Sequence, residues 1–425
     1  MSPPAAASTS VSRKPIHAVM FTPETYGGHA RYTWELMSAL RAAAPPSELH
    51  LSLVTSRNLE AEFRSADYSI YEVLEPLREG PFSGRVHWAA SRLAHYTRRD
   101  AKLFRFLRDL GEVDIVHFQE PPLFATYYYA RLRRLGMHPL FTVHNLLPHR
   151  DVVPGTGWLT KRASTVAWRQ CSALFVHSDS LRQQLGQRIG SGAPPIVTVP
   201  HGLWRVPRPS QAPSEERFRR KQLLLFGTLR RNKGIHLMLD ALEHISGATL
   251  TIAGAFESSS LRQEILARLG DKMLPVRLID GFVPDGEAAD LFGNASLVVL
   301  PYTPDFHAQS GVLYLALSHG VPVVAADVGA LGEFVRKEQV GTVSASHDAI
   351  AFAQAVALAL EPSTYQVCRE NCLRLSASVS WKEAAQRTLR CYEDVLRVET
   401  IDSAGGTAIA PAPPEREHGD LTRAV

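Results

Sequence analysis

Short, wholly apolar segments alternate with helical patterns along most of the chain. Segments of this kind are typical of central strands in a parallel sheet that helices cover on both faces. Two successive series predict an α/β protein with two doubly wound domains. The predicted strands lie at residues 17–21, 50–54, 114–118, 139–143, 173–176 and 196–199 in the first series, and at 222–226, 249–253, 276–279, 296–300 and 321–325 in the second.

The two series are separated by a segment that lacks apolar periodicity. Residues 206–220 are rich in Pro, Arg and Ser, and we predict that they link an N-terminal domain at 15–205 to a C-terminal domain at 221–380. A further helix is predicted at 381–400. Its position after the second domain allows it to cross back onto the first.

Both ends of the chain have the composition of disordered segments. Residues 1–14 are rich in Ala, Ser and Pro and lack the apolar stretch of a secretory signal, and residues 401–425 are rich in Gly, Pro, Ala and charge. No run approaches the roughly 18 apolar residues that cross a bilayer. The sequence therefore predicts a cytoplasmic protein that at most lies on the inner face of the cell membrane.

Charge is distributed unevenly along the 425 residues, although the net charge is only +4. Residues 1–209 hold 25 Lys and Arg against 16 Asp and Glu, whereas the rest hold 21 against 26. A basic half suits an anionic membrane or a phosphate-bearing ligand. We do not expect nucleic acid, because the aromatics of a stacking surface are missing. The basic, amphipathic stretch at 92–108 predicts either a lipid contact or an ordinary basic helix face.

The four cysteines, Cys171, Cys368, Cys372 and Cys391, show neither a C-x-x-C pair nor zinc spacing. We interpret them as buried thiols rather than as metal ligands or disulfides.

Candidate ligand-binding residues of the first half follow predicted strands, where ligands of open α/β sheets collect. Gly27 and Gly28 lie at a strand-to-helix turn, where they either let backbone amides approach a ligand or only tighten the turn. The pair does not form G-x-G-x-x-G, so the nicotinamide and flavin fingerprint is absent. His144 follows another strand and either contacts a sugar or a donor phosphate, or caps its own loop.

Three cations in four residues, Arg230, Arg231 and Lys233, precede a predicted helix of the second half. Cations at a helix start oppose the macrodipole, which makes sense when a bound diphosphate supplies negative charge. The alternative is a solvated basic turn.

The segment Gln309-Ser310-Gly311 opens a predicted helix at 312–318. The free N–H groups of such a helix end can bind phosphate, although the residues alone would also fit plain helix capping.

Taken in order, these segments resemble the family-4-like (group 1) GT-B glycosyltransferases. The matching segments begin at the paired glycines and continue through TVHN, FVHSDS, VPHG, FGTLRRNKG, GFVPDGE, ADLFGNASLVVLPY, QSGVL and HGVPVVAADVGALGE. The resemblance implies two Rossmann-like domains facing a central cleft. It also implies transfer of a sugar from a UDP- or GDP-sugar to a glycan or lipid-linked acceptor, with retention and without a metal or other cofactor, as in bacterial surface polysaccharide or glycolipid synthesis.

The resemblance also implies roles for individual residues. Arg230 and Lys233 would clamp the donor diphosphate, and His144 would contact the transferred sugar. The other residues implied on the donor side are Gly27 and Gly28 beside the phosphate and sugar, Gly227 in the clamp turn, Phe282 and Val283 beside the base, and Gln309, Ser310, Gly311 and Val312 at the phosphates.

Three positions depart from the family pattern. Most members carry glutamates at two positions that are His307 and Leu315 here. An arginine commonly follows the glycine that corresponds to Gly227, and Thr228 takes its place here. The departures make the donor sugar less predictable. They leave open two alternatives, a non-catalytic nucleotide-sugar-binding protein of the same fold and a nucleotide-sugar epimerase; a phosphorylase would need a cofactor lysine or phosphate pocket that is not found.

Overall fold

Two parallel sheets form the core of the computed structural model, which describes residues 14–25, 27–77, 85–144, 146, 157–206, 214–271, 273–306 and 310–403. The first sheet has the strand order β3-β2-β1-β4-β5-β6-β7 and the second has the order β10-β9-β8-β11-β12-β13. The strands are β1 (Ile16–Phe21), β2 (Leu49–Ser56), β3 (Ser69–Leu74), β4 (Ile115–Phe118), β5 (His138–Thr142), β6 (Ala173–Val176), β7 (Ile196–Thr198), β8 (Gln222–Phe226), β9 (Thr249–Gly254), β10 (Val276–Asp280), β11 (Leu297–Leu300), β12 (Val323–Ala325) and β13 (Gly341–Val343).

Helices flank both sheets and follow most of the strands. Among those of the described residues, none combines the length and the apolar character that are needed to span a bilayer. The helices are α1 (Gly27–Ala43), α2 (Arg85–Leu110), α3 (Ala125–Arg134), α4 (Gly157–Trp168), α5 (Asp179–Ile189), α6 (Ser214–Arg220), α7 (Ile235–Leu242), α8 (Ser259–Asp271), α9 (Asp285–Asn294), α10 (Gly311–Ser318), α11 (Gly329–Glu338), α12 (Ala349–Ala359), α13 (Pro362–Ser378) and α14 (Trp381–Ser403).

The predicted fold class, two Rossmann-like α/β units, is confirmed. All eleven predicted strands are present, with bounds that shift by up to two residues at either end. Two further strands, β3 and β13, were not predicted. β3 is half-buried along most of its length because it forms a sheet edge, and β13 is only three residues long, so neither gives a continuous apolar run. The four cysteines are free and buried, as predicted.

The strand order reverses between β1 and β4 in the first sheet and between β8 and β11 in the second. Such switch points leave a crevice outside the carboxyl ends of the two strands, because the connections on either side run in opposite directions. The loops after β1, β4, β8 and β11 are therefore where this fold best accommodates a ligand.

Gly234 lies between the loop after β8 and helix α7, and close backbone packing requires a glycine at this position. Its φ is +67°, and a Cβ atom there would lie 1.7 Å from the carbonyl oxygen of Pro301, directly after β11. Only glycine tolerates both the left-handed backbone and this contact. The two loops at the second switch point are thereby held against each other.

In the structure, the linker between the two domains is shorter than the predicted range of residues 206–220. Its last part, 214–220, forms α6, and the buried guanidinium of Arg217 donates to the carbonyls of Phe292 and Gly293. Residues 207–213 lie outside the described part of the chain, as do residues 1–13 and 404–425 of the termini predicted to be disordered.

The last helix, α14, packs on α1 of the first unit. The hydroxyl of Tyr392 lies 2.7 Å from Nδ1 of His117 in β4, and the guanidinium of Arg387 donates to the carbonyl of Thr198 at 2.8 Å. The chain therefore crosses from the second unit back to the first.

Candidate active site

Lys233 lies after β8, in the 3₁₀ turn Arg231–Lys233. Its ammonium donates to the carbonyl of Phe226 at 2.8 Å and to the hydroxyl of Tyr302 at 3.2 Å. The nitrogen also lies 5.1 Å from the centre of the Tyr302 ring, whose face attracts a cation. Because two of the three N–H donors are used, one is left for a ligand.

The amino end of α10 lies across the same switch point. The Ser310 hydroxyl caps the helix by accepting from the backbone N–H of Leu313, and it lies 2.8 Å from the hydroxyl of Tyr302. Among the described residues, the N–H groups of Gly311 and Val312 find no hydrogen-bond partner. A helix end with free N–H groups favours an anion.

Gly227 lies between these two parts of the site. A Cβ atom built on it would be 3.4 Å from Nζ of Lys233 and 3.4 Å from a methyl carbon of Val312. Its φ of +89° also favours glycine. The clamp turn and the helix end, which the sequence predicts to share one phosphate site, are therefore adjacent.

The cations of the clamp turn have different surroundings. Arg231 forms an ion pair with Glu264 of α8, and its backbone N–H donates to the Glu257 carboxylate at 3.1 Å. The half-buried Arg230 has no ion pair with any described residue. Thr228, at the position of the common family arginine, is exposed. Arg230 and Lys233 are therefore the cations of this turn that an anionic ligand can use.

The residues predicted beside the base follow β10. Phe282 is 58% exposed, whereas Val283 is buried, so Phe282 alone offers a surface for stacking. Gln309 and His307 lie outside the described residues, and Leu315 is half-buried on α10.

Gly27 and Gly28 begin α1 at the first switch point. The φ of Gly27 is +80°, so its backbone favours glycine. A Cβ atom at either position would meet no other atom within 4 Å, and both residues are exposed. The space beside this helix end is therefore open to a ligand.

His144 lies in a network of polar and aromatic side chains. Its Nε2 is 3.0 Å from the Gln119 side-chain oxygen and its Nδ1 is 3.0 Å from Nε2 of His177. Its ring stacks on His29 with 4.6 Å between centres. Burial, and then the neighbouring histidines, hold the pKa of His144 well below its usual value, so the ring is neutral. A sugar contact through either ring nitrogen must replace one of these hydrogen bonds.

A group that the sequence analysis missed lies beside His144. Nδ1 of His29 is 3.7 Å from a carboxylate oxygen of Glu24 and 3.9 Å from one of Glu120. Burial, and then the charge of Glu24, raise the pKa of Glu120 to about 6. Glu24 follows β1 and Glu120 follows β4, so both carboxylates lie at the first switch point. Their positions after strands were the signal that could have found them.

The first and second units meet beside α10. The imidazole of His201 stacks on the Tyr314 ring with 4.2 Å between centres, and the indole N–H of Trp204 donates to the Gly311 carbonyl at 3.0 Å. Arg31 of α1 forms an ion pair with Asp285 of α9. These contacts hold α1 and the segment after β7 of the first unit against α9 and α10 of the second.

Two Rossmann-like domains that face each other form the GT-B fold, and solved structures support this fold here. A sucrose-phosphate synthase from Thermosynechococcus elongatus superposes with a TM-score of 0.67 at 20% identity, over 91% of this chain and 100% of that one. Anabaena HepE, solved in complex with UDP-glucose, gives a TM-score of 0.61 at 17% identity over 91% and 100% of the two chains.

Sequence comparisons then give the family. A model described as Glycosyltransferase Family 4 matches residues 26–221, and one described as Glycosyl transferases group 1 matches residues 220–361. The glycogen synthase of Mycobacterium tuberculosis (strain CDC 1551 / Oshkosh) is 25% identical over 411 residues, which cover 89% of this chain and 94% of the relative. The chain belongs to the group 1, family-4-like glycosyltransferases.

Proposed function

We propose that this glycosyltransferase moves a sugar from a UDP- or GDP-sugar to a glycan or lipid-linked acceptor. The observation that carries the proposal is the adjacency of Lys233, the Gly227 backbone and the α10 amino end at the second switch point. One N–H of the ammonium and two backbone N–H groups, which no other described residue binds, suit the oxygens of a diphosphate. The HepE structure with UDP-glucose supports the same class of donor.

The costly step of this reaction is departure of the nucleoside diphosphate, which gains negative charge as the glycosidic bond breaks. Fixed donors aimed at that charge stabilise the transition state because they need not reorganise. We assign this work to Arg230, Lys233 and the amino end of α10. The acceptor hydroxyl then attacks the anomeric carbon from the same face and gives its proton to a phosphate oxygen of the departing nucleoside diphosphate, so the configuration of the sugar is retained.

On the facing side, we propose that Gly27, Gly28 and His144 adjoin the transferred sugar and that the acceptor approaches Glu24 and Glu120. Carboxylates accept hydrogen bonds from sugar hydroxyls. No metal takes part in the proposed reaction, so turnover is expected to persist in EDTA.

A donor screen tests the proposal. The protein is incubated with UDP-, GDP- and ADP-sugars and mixed glycan or lipid acceptors while release of nucleoside diphosphate is measured. We expect release with one donor, and a rise in melting temperature with the matching nucleoside diphosphate, because a ligand that binds the folded state stabilises it.

The alternatives give different results in the same screen. A non-catalytic binding protein shows the rise in melting temperature without release, and an epimerase converts the donor sugar without any acceptor. The absence of both binding and release with all donors would overturn the proposal.

We also propose that the enzyme works at an anionic membrane surface, through one face of the first unit. Helices α2 and α3 are joined by the stacked rings of Phe104 and Tyr128, 3.8 Å apart. Their exposed side chains combine apolar groups with cations, an arrangement that suits lipid headgroups and the adjoining acyl region. The exposed residues on and beside the two helices that could supply these groups are Leu93, Phe124, Tyr127 and Leu135 together with Arg98, Arg105, Arg131, Arg133 and Arg134.

Vesicle co-sedimentation checks the membrane proposal. Wild-type protein is expected to bind vesicles that contain anionic lipid at low salt and not neutral vesicles. The variant R131E/R133E/R134E should bind at least about tenfold more weakly, because each cation near the surface contributes about 1 kcal/mol. The control R374E/K382E/R390E makes the same charge change on α13 and α14 and should still bind. Equal binding of the two variants, or none by wild type, would contradict the proposal.

A further inference from the structure

Tyr302 bridges the two halves of the proposed donor site. It follows β11, and its side chain is only 2% exposed. Its hydroxyl lies 3.2 Å from Nζ of Lys233 and 2.8 Å from Oγ of Ser310. The same oxygen therefore contacts the clamp turn on one side and the cap of α10 on the other.

The direction of each hydrogen bond in this bridge follows from the chemistry of its members. An ammonium can only donate, so the Tyr302 oxygen accepts from Lys233. Either hydroxyl could donate between Tyr302 and Ser310, but among the described residues Ser310 is the acceptor within reach of the buried Tyr302 hydrogen, so we take Tyr302 as the donor. The Ser310 oxygen then accepts from Tyr302 and also from the N–H of Leu313 at 3.2 Å. Both of its acceptor positions are filled, and its hydroxyl hydrogen is left to be donated elsewhere.

Among the described residues, this bridge therefore presents hydrogen-bond donors toward the proposed diphosphate. Lys233 keeps one N–H, because the other two are bound to Phe226 and Tyr302. Ser310 keeps its O–H, and the backbone N–H groups of Gly311 and Val312 lie beside it. Hydrogen bonds in such a chain polarise one another, which strengthens the O–H donor of Ser310 at the accepting end.

We propose that Tyr302 is a positioning residue that makes Lys233 and Ser310 act together as donors to the diphosphate. The inference rests on the proposed function and adds to it a residue that sequence reasoning did not select. Tyr302 acts through its neighbours, since its hydroxyl is buried and already fully bonded. The expected ligand is the pyrophosphate group of the nucleotide, and the base and sugar are not recognised by this bridge.

The test uses Tyr302→Phe, which keeps the ring under Lys233 and its packing on Phe306 and removes only the hydroxyl. Binding of UDP, GDP, ADP and inorganic pyrophosphate to the full chain is measured by titration calorimetry. We expect the variant to bind the diphosphate about tenfold more weakly, on the scale of one net hydrogen bond. Tyr365→Phe, at a buried tyrosine of α13 in the same unit, is the control and should bind as wild type does.

A double-variant cycle separates this role from a structural one. If Tyr302 acts through Ser310, then Tyr302→Phe combined with Ser310→Ala should bind little more weakly than the weaker single variant, because Ser310→Ala already removes the hydroxyl that Tyr302 orients. Fully additive losses, or wild-type affinity in Tyr302→Phe, would overturn the positioning role while the proposed function stands. Failure of wild type to bind any of the four probes would instead overturn both.

Discussion

Replacement of Lys233 with alanine is expected to lower kcat by at least about a hundredfold, the scale of losing one donor aimed at developing charge. Lys233 is the cation that hydrogen bonds hold in place at the switch point, through the Phe226 carbonyl and the Tyr302 hydroxyl. Its remaining N–H lies beside Gly227 and α10, where the leaving phosphate is expected. The measurement is the initial rate of nucleoside diphosphate release at saturating donor.

The same turn supplies a matched control. Arg231 is two residues away and exposed, but its charge is paired with Glu264. Arg231→Ala should therefore keep turnover within a few-fold of wild type. Both variants are compared by thermal melting, so that misfolding of Lys233→Ala is recognised. Near-normal turnover of a folded Lys233→Ala protein would reject the assignment.

The adjacency of the two donor loops could be predicted from the sequence because it depends on topology. The apolar segments specify parallel strands, and the carboxyl ends of neighbouring parallel strands lie at one edge of the sheet. Lys233 follows one such strand and Ser310 follows the next strand in the sheet, although 77 positions separate them along the chain. The need for glycine at Gly227 and Gly234 could also be predicted, because both residues lie at turns.

Other parts of the site depend on contacts that no periodicity encodes. The role of Tyr302 requires both of its partners to be known, since a tyrosine after a strand is otherwise an ordinary core residue. The stacking of His201 on Tyr314 joins two units through residues that lie far apart in sequence. Likewise, the pKa of Glu120 is raised because folding buries its carboxyl and brings Glu24 beside it. Such features arise from side-chain packing, which the pattern of the sequence alone does not predict.

Mild acid is expected to destabilise the fold steeply because several histidines are buried and neutral. Burial lowers the pKa of His117 to about 3, of His177 to about 4 and of His201 to about 3, from an ordinary value of 6.5. In the unfolded chain these side chains take up protons below pH 6.5. The stability that depends on their neutral form is therefore complete above pH 6.5 and is lost as pH falls toward 4.

The size of the effect follows from the same pKa values. At pH 5, each histidine is about 1.5 pH units below its unfolded pKa and still neutral in the fold, which costs about 2 kcal/mol per residue. Three such residues cost about 6 kcal/mol, comparable to the whole stability of many domains. The carboxyls of Glu62 and Glu120 partly oppose the loss, because their pKa values are raised to about 7 and about 6.

A single substitution isolates one histidine from these opposing groups. His117 lies between the hydroxyls of Tyr392 and Thr142, at 2.7 Å from each, so it joins α14 to the first sheet. His117→Gln should lower the free energy of unfolding at pH 8, because these hydrogen bonds are lost. At pH 5 the difference in unfolding free energy from wild type should be about 2 kcal/mol smaller, because the unfolded variant has no histidine at this position to take up a proton. Urea unfolding at the two pH values measures both differences, with His347→Gln at an exposed histidine as the control. A difference that stays constant between pH 8 and pH 5 would show that His117 is not the neutral group that its burial implies.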